Sequence, residues 1–530
     1  MKQPPVLHPF LFALFPILAF YAHNIKSVPV PLGELAAPLV VSLLGAAVLF
    51  AVLNAIIGNR FKAGAGTSLI LLWFLSYGHL AARTADWTGI PPGVSFFAAT
   101  ALMVALGIFL IVRVRGGLIG PTRFLNVASA VLVLFNLAST VQTFAGRPRI
   151  RAGAEIKVTG DATSRPNIYY IVLDAYARAD ILQEVFSYDN TSFLSALKTR
   201  GFVVADRSYA NYNLTHQSLA SSLNFTLLDE LARDAGFSSS DREPLYAMIK
   251  ANRVMAFLKD RGYRLLTVSS SIGPTDFRTV DRYFGFAASD SEFRTILLQT
   301  TPLQLLDRSR ETAASYDHHR KRILNAFRAL EESVFEKGPF FMFAHIMAPH
   351  PPFVFGPGGE PLEPDYLFSM VDADRLHGCG EQARTAYIAR YRDQLAYLNT
   401  RILAAVDAIL GASPEPPVIV LQGDHGSRAY SDFDDPEASY FKENLAILNA
   451  YHLPGLGKEA VYPGISPVNT FRLIFRRYFG ADLEPLPDTS AWTTWRRPYR
   501  FLPFEESSYR PTVESVRRAA KPKTPLVQKR

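Results

Sequence analysis

The chain has 530 residues, 49% hydrophobic and only 19% charged, with a single cysteine, Cys379, and a formal net charge of +8. A mean hydropathy of +0.09 points to a membrane-embedded portion rather than a wholly soluble protein, and one cysteine excludes both an internal disulfide and a multi-cysteine metal site. The positive charge suits anionic lipid surfaces or phosphorylated substrates; with no zinc-finger spacing, RNA-binding signature or continuous basic helix, nucleic acid is not expected as a partner.

From Leu7 to Ala145 long apolar runs alternate with short basic connections. The runs are Leu7–Ala22, Ala36–Ile57, Thr67–Ala82, Val94–Val112 and Leu125–Ala145. Several reach the roughly 20 residues that a spanning helix needs, which predicts five spans and an α-helical transmembrane domain over residues 1–146. A cleaved signal peptide is the alternative for the first run, but no small-residue cleavage site precedes the next run, and four more follow. Lys2, Arg60, Lys62, Arg113, Arg115 and Arg123 fall on one set of connections, Lys26 and Arg83 on the other. The positive-inside rule then predicts a cytoplasmic N-terminus. The chain is expected to be a multi-pass protein of the inner (plasma) membrane whose C-terminal domain is periplasmic or extracellular. Neutral polar residues such as Asn126, Asn136 and Gln142 inside the runs fit an anchor or lipid-substrate platform better than an ion pathway or a transporter.

A polar linker spans residues 147–165, and soluble α/β composition follows over residues 166–488. Asn167–Asp174, Phe202–Ala205, Tyr263–Ser269, Phe340–His345, Val418–Gln422 and Asn444–Asn449 read as strands. Ser192–Arg200, Pro244–Arg261 and Thr385–Leu410 read as helices, the last with apolar residues from Ile388 to Ile409 at every third or fourth position. Strands alternating with helices predict a mostly parallel central sheet covered by helices. Residues 489–530 read as a polar, basic C-terminal tail, disordered beyond Pro503.

The chemistry-bearing residues cluster at expected strand ends, where open α/β sheets bind ligands. Asp174 closes the first strand of the domain. Asp424-His425 follows the Val418 run, flanked by Gly423 and Gly426, which let the backbone turn tightly. Two carboxylates and an imidazole suit Zn²⁺ or Mn²⁺. Thr215 lies where a polar loop enters a small-residue helix; it is either a simple N-cap or a hydroxyl held by that cation as a nucleophile, with Ser218 one turn away. His345 and His350, beside Pro349 and Pro351, are placed to bind a phosphoryl oxygen, protonate a leaving group or hold part of a second metal.

This constellation resembles the alkaline phosphatase and sulfatase superfamily. More narrowly, it resembles the membrane-anchored branch of lipoteichoic acid synthases and lipid A phosphoethanolamine transferases, over residues 166–487 and in the five-span layout. The resemblance matches the family's first-strand acidic residue to Asp174, its threonine nucleophile to Thr215, its paired histidines to His345 and His350, and its terminal Asp-His-Gly to Asp424-His425-Gly426. Ile465–Arg472 also looks like family sequence. The chain departs from the pattern in three ways. The nucleophile loop lacks the Cys/Ser-x-Pro/Ser-x-Arg of formylglycine sulfatases, it lacks the transferases' Thr-Gly-Thr-Ser-like wording, and their disulfides cannot form.

The expectation is a membrane-bound, metal-dependent enzyme that transfers a phospho-substituent through phospho-threonine. Its donor would be a membrane lipid and its acceptor an envelope glycan or lipid, which explains the multi-span anchor. The alternatives are a phosphodiesterase or sulfatase-like hydrolase on the same fold, and a non-catalytic envelope binding protein.

Overall fold

The computed structural model describes residues 3–25, 32–88, 93–145, 156–158, 165–270, 272–285, 297–298, 300–305, 308–362, 380–432, 435–509 and 511–515. Its contacts divide the chain into two compact units, one holding residues 1–147 and 288–311, the other residues 148–287 and 312–524.

The first unit contains five apolar helices, His8–Asn24, Gly33–Ile57, Arg60–Thr88, Val94–Arg113 and Ile119–Ala145. Four are long and apolar enough to cross a membrane; the first has 17 residues. Their apolar side chains face outward: Val41, Ile56, Leu102, Phe124 and Phe135 are all well exposed, which suits hydrocarbon and not water. The helices meet through apolar contacts such as Ala13, Ala46 and Leu71, and through a few polar groups. Asn126 Oδ1 accepts the Leu7 and His8 N–H groups at 3.0 and 2.8 Å, satisfying two free donors at the start of the first helix. That gives one of the neutral polar residues a structural task. Residues 297–298 and 300–305, expected within the soluble domain, group instead with these helices. Leu297 packs against Ile17, Tyr21, Ile25 and Leu35, and the Gly78 N–H donates to the Thr300 carbonyl at 2.7 Å.

The second unit is an α/β domain around seven strands: β1 Ile168–Leu173, β2 Val203–Val204, β3 Arg264–Val268, β4 Arg282–Phe284, β5 Phe340–Ile346, β6 Val418–Gln422 and β7 Asn449–His452. Their order is β2-β7-β6-β1-β5-β3-β4. β6, β1, β5, β3 and β4 run parallel, and β7 pairs antiparallel with both β6 and β2. Side chains alternate between two cores, as the period of two requires. Tyr169, Ile171 and Leu173 face the helices Arg308–Glu332 and Gly380–Ala412. Ile168, Tyr170 and Val172 face Thr215–Ser222, Glu243–Lys250, Arg253–Asp260 and Pro467–Phe479. Gly380–Ala412 also meets the length and composition of a span, but its stripe of Tyr391, Leu395, Leu398, Ile402 and Ile409 is buried in the first of these cores.

Several sequence expectations shift. Pro244–Arg261 is two helices, broken at Asn252, whose Oδ1 caps the second by accepting the Met255 N–H at 2.8 Å. Asn444–Asn449 is not a strand; a short helix occupies Phe441–Leu445 and the strand begins at Asn449. The tail expected from residue 489 begins instead with a hairpin, β8 Ser490–Thr494 and β9 Arg497–Phe504. It buries Trp492, Tyr499 and Phe504, apolar groups that a loose polar tail would leave in water. Residues 516–530 and most of the expected linker lie outside the described residues.

Candidate active site

Four segments converge at the carboxyl ends of the central strands. Asp174 follows β1, His345 sits near the end of β5, Asp424 and His425 follow β6, and Thr215 opens the helix Thr215–Ser222. One ligand atom from each of Asp174, Asp424 and His425 lies within 4.8 Å of the others, and all three residues are buried.

The hydrogen bonds show how each is aimed. Asp174 Oδ2 accepts from His345 Nε2 at 3.2 Å, while Oδ1 has no hydrogen-bond partner and lies 3.4 Å from His425 Nε2. Asp424 Oδ1 accepts the Ala175 N–H at 3.2 Å; its Oδ2 is also without a hydrogen-bond partner, 3.7 Å from His425 Nε2. Ala175 reaches Asp424 with a φ of 64°, a strained conformation for a residue with a Cβ. His425 donates its Nδ1–H to the Gly426 carbonyl at 2.8 Å, so Nε2 carries the lone pair. Thr215 Oγ1 lies 3.3 Å from that Nε2. Two orphaned carboxylate oxygens, both buried, would be costly in a dry site without a positive partner. Hard oxygens with one imidazole fit a divalent cation.

The glycines serve close approach rather than unusual turning. A Cβ on Gly426 would collide with the Glu443 carbonyl and lie 2.7 Å from that of Ala446; one on Gly423 would lie 2.7 Å from the Tyr176 carbonyl.

Burial and proximity push the two carboxyls apart. For Asp424, burial and then the Asp174 charge raise the pKa to about 6, against the Thr215 hydroxyl and the Ala175 N–H. For Asp174, burial alone would do the same, but His350, the His345 hydrogen bond and His425 outweigh it and hold the group well below the usual carboxylate range. His425 is lowered to about 3 by burial and then Arg428, so it stays neutral and able to ligate near neutral pH.

The two histidines of the β5 segment have different surroundings. His345 uses both ring nitrogens, Nε2 on Asp174 and Nδ1 accepting the Thr275 hydroxyl at 2.9 Å. It orients Asp174 and has no nitrogen left for a phosphoryl oxygen. His350 donates Nδ1–H to the Pro351 carbonyl, which leaves Nε2 as an acceptor. Its ring centroid is 6.2 Å from that of His425. Burial lowers its pKa to about 4, so it is neutral near pH 7 and would act by relaying a proton, not as a standing cation.

Thr215 is the first helical residue, and the N-cap position belongs to Leu214. Its loop is held from behind by polar side chains. Asn213 Oδ1 accepts the Thr493 N–H at 2.8 Å and its Nδ2 donates to the Thr493 carbonyl at 3.0 Å. The Ala491 N–H donates to the Asn211 carbonyl at 2.9 Å, and Gln217 Nε2 donates to that of Pro498 at 2.9 Å. The hairpin, read from sequence as tail, thus forms the back wall of the loop that carries Thr215. Ser218 is committed elsewhere, its hydroxyl donating to the Asp424 carbonyl at 2.6 Å.

Sequence reading also passed over Arg428, Thr275 and Glu443. Arg428 Nη2–H donates to His425 Nε2 at 2.8 Å. Glu443 Oε1 accepts the Ser427 hydroxyl at 2.8 Å and the Ala429 N–H at 2.5 Å, and Oε2 accepts the Tyr430 N–H at 2.8 Å. Arg428 lies inside the Asp-His-Gly stretch, where its spacing was a usable signal. Glu443 and Thr275 are distant in sequence and carried none.

A family model described as Sulfatase matches residues 166–471, more than half of the chain. Several solved structures are similar. The lipooligosaccharide phosphoethanolamine transferase A (EptA) of Neisseria meningitidis is 12% identical, with 91% of this chain and 97% of that one covered at a TM-score of 0.41. The periplasmic domain of EcEptC from Escherichia coli, in complex with Zn, is 11% identical, covering 66% and 95% at 0.41. The phosphonate monoester hydrolase of Agrobacterium radiobacter is 16% identical, covering 62% and 80% at 0.38. At these identities and TM-scores the likenesses decide neither substrate nor metal. A search of curated protein sequences found no match.

Proposed function

Given that this chain belongs to the sulfatase family, and is an enzyme of the alkaline phosphatase/sulfatase superfamily, we propose that it moves a phospho-substituent from a membrane lipid to an envelope glycan or lipid through phospho-Thr215. The observation that carries the reading is the convergence on His425 Nε2 of the Thr215 hydroxyl at 3.3 Å and the unpartnered Asp174 oxygen at 3.4 Å. Asp174, Asp424 and His425 would hold Zn²⁺ or Mn²⁺, with Thr215 as the further ligand. Such a cation supplies Lewis acidity that makes a threonine hydroxyl a competent nucleophile at neutral pH.

The chain's own groups account for the rest. Thr215 Oγ1 bonds to phosphorus as the bond from phosphorus to the donor's leaving oxygen breaks. The hydroxyl proton passes to that leaving oxygen by way of His350 Nε2. In the second half the acceptor hydroxyl oxygen bonds to phosphorus, the bond to Oγ1 breaks, and the acceptor's proton returns to Oγ1 along the same route. His345 keeps Asp174 aimed at the cation. A threonine cannot become formylglycine, so the route taken by sulfatases proper is closed to it. The apolar helices of the first unit favour a lipid donor, and the loop charges favour an external active domain.

The test is incubation of the purified full-length protein with labelled membrane lipids and Zn²⁺ or Mn²⁺, followed by mass spectrometry of the peptide 211–224. A phosphorylated Thr215 and label on a glycan or lipid acceptor support the reading. Release of label only into water favours the hydrolase. Modification of Ser218, or full activity in Thr215→Ala, overturns it.

A further inference from the structure

The site as described has a charge deficit. A divalent cation between two ionised carboxylates is neutral overall, and in phosphoryl transfer negative charge spreads over three non-bridging oxygens. The His345 imidazole does not supply the balance, since both its ring nitrogens are taken, by Asp174 and Thr275.

Arg428 is the cation on hand. It is almost fully buried, and its Nη2 lies 2.8 Å from His425 Nε2, the atom around which Thr215 Oγ1 and Asp174 Oδ1 gather at 3.3 and 3.4 Å. Its backbone is fixed on both sides. Glu443 clamps Ser427, Ala429 and Tyr430, and the Arg428 N–H donates to the Tyr387 hydroxyl at 3.3 Å. A guanidinium on such a loop is pre-organised, and its planar fork matches two phosphoryl oxygens at once.

The lone pair that Arg428 occupies is also the one His425 would offer a cation. Without the cation, the guanidinium rests on that nitrogen. With the nitrogen taken, its N–H donors are released within reach of whatever Thr215 attacks.

We propose that Arg428 is the phosphoryl-binding residue of this site, holding the non-bridging oxygens of the phospho-substituent while Thr215 attacks, and that in the cation-free protein it occupies the metal-ligating nitrogen of His425. This deepens the proposed function and rests on it for the identity of the bound group. Arg428 makes and breaks no covalent bond. A purely structural role, filling the space beside His425, is the competing account.

The experiment uses full-length protein in detergent. Zn²⁺ affinity is measured by calorimetry, then the affinity of the Zn²⁺-loaded protein for inorganic phosphate, then turnover with labelled lipids. Arg428→Gln should bind Zn²⁺ at least as tightly as the parent, because a competitor for His425 is gone. Its phosphate affinity should fall at least about tenfold and its kcat about a hundredfold, the scale of one lost charge-stabilising donor group. Arg428→Lys should recover part of the phosphate affinity but less of kcat, lacking the fork. Unchanged phosphate affinity in Arg428→Gln overturns the proposal. So does loss of Zn²⁺ binding in that variant, which would make Arg428 a support for His425. If instead Thr215→Ala turns over like the parent while Arg428→Gln loses phosphate affinity, the transferase reading fails and the anion site stands.

Discussion

The two walls of the site are built by different physics. On one side, Asp174 and His345 sit on adjacent parallel strands in fixed register, with His345 opposite Val172 and Ile346 opposite Leu173. Their positions follow from sheet hydrogen bonds and the two cores. On the other side, Thr215 opens a helix at the end of the long loop that follows β2. Its position depends on amide side chains, Asn211 and Asn213, and on a hairpin nearly 280 residues away in the chain. A strand wall tolerates the loss of one polar contact, whereas a wall of side-chain hydrogen bonds should move when one member goes.

That contrast can be broken by experiment. Thr215→Ala should lower turnover at least about a thousandfold, as removal of a nucleophile that acts as part of a unit does elsewhere, while cation content stays near the parent's. A variant that keeps more than a tenth of the activity would show that the loop wall does not carry the nucleophile. Asp424→Asn should weaken cation binding by about a hundredfold or more, since an anionic ligand is removed from a set with few others. Calorimetry with Zn²⁺ reads this directly, and unaltered affinity would place the cation elsewhere.

His345→Ala probes the strand wall. The sheet should hold, and loss of the Asp174 support should cost about ten- to a hundredfold in cation affinity or turnover, the usual toll of removing a group that orients a ligand. A thermal unfolding curve coincident with the parent's, beside such a loss, would confirm that position and not folding is affected.

The pH dependence follows from Asp424. Its pKa in the cation-free fold is raised to about 6, and a cation must displace that proton. Zn²⁺ affinity should therefore be flat above about pH 7 and fall towards tenfold per unit below about 6, with close to one proton released per ion. For the cation-free fold the sign is opposite. A carboxyl whose pKa is raised on folding contributes stability that is present below its unfolded value, near 3.8, and lost as pH rises through about 6. Affinity that is level down to pH 5 would refute the raised value.

Asn213→Ala is expected to have the smallest effect on the cation and a visible one on the loop. It strips the Thr493 N–H and carbonyl of their partner, costing about 1–3 kcal/mol in stability. Turnover should fall with Zn²⁺ affinity unchanged. Ser218→Ala, which loses one hydrogen bond to the Asp424 carbonyl, should cost only about 0.5–1.5 kcal/mol. Equal effects of the two on turnover would dissolve the distinction between the walls.

The same contrast explains what could be read from sequence. The strand wall was legible because β-branched and aromatic runs ending in Asp174 and in Asp424-His425 carry their own local signal. The sheet, its parallel core and the apolar helices were legible for the same reason. The loop wall was not. Thr215 could be picked out, but nothing local distinguishes a hairpin of Ser490–Phe504 from polar tail when its partners are Asn211, Asn213 and Gln217. Glu443 stands just before the expected strand Asn444–Asn449, yet the chain there first closes a turn of helix that brings its carboxyl onto the Ser427–Tyr430 loop. Arg428 was visible in sequence, but its contact with His425 depends on a loop pressed against the Glu443 and Ala446 carbonyls, an approach that Gly426 permits.

The excursion of residues 288–311 bears on how this protein can be dissected. Cloning everything after the last N-terminal helix would seem to isolate the catalytic part as a water-soluble fragment. That fragment would still carry a segment whose packing partners, Ile17, Tyr21, Ile25 and Leu35, had been left behind, with Leu297 stripped of shelter. A clean fragment needs two cuts and a graft: start near Arg165, and replace residues 288–311 with a short polar bridge. Between those two designs, the shorter insert-free chain is the one expected to stay monomeric in buffer without detergent.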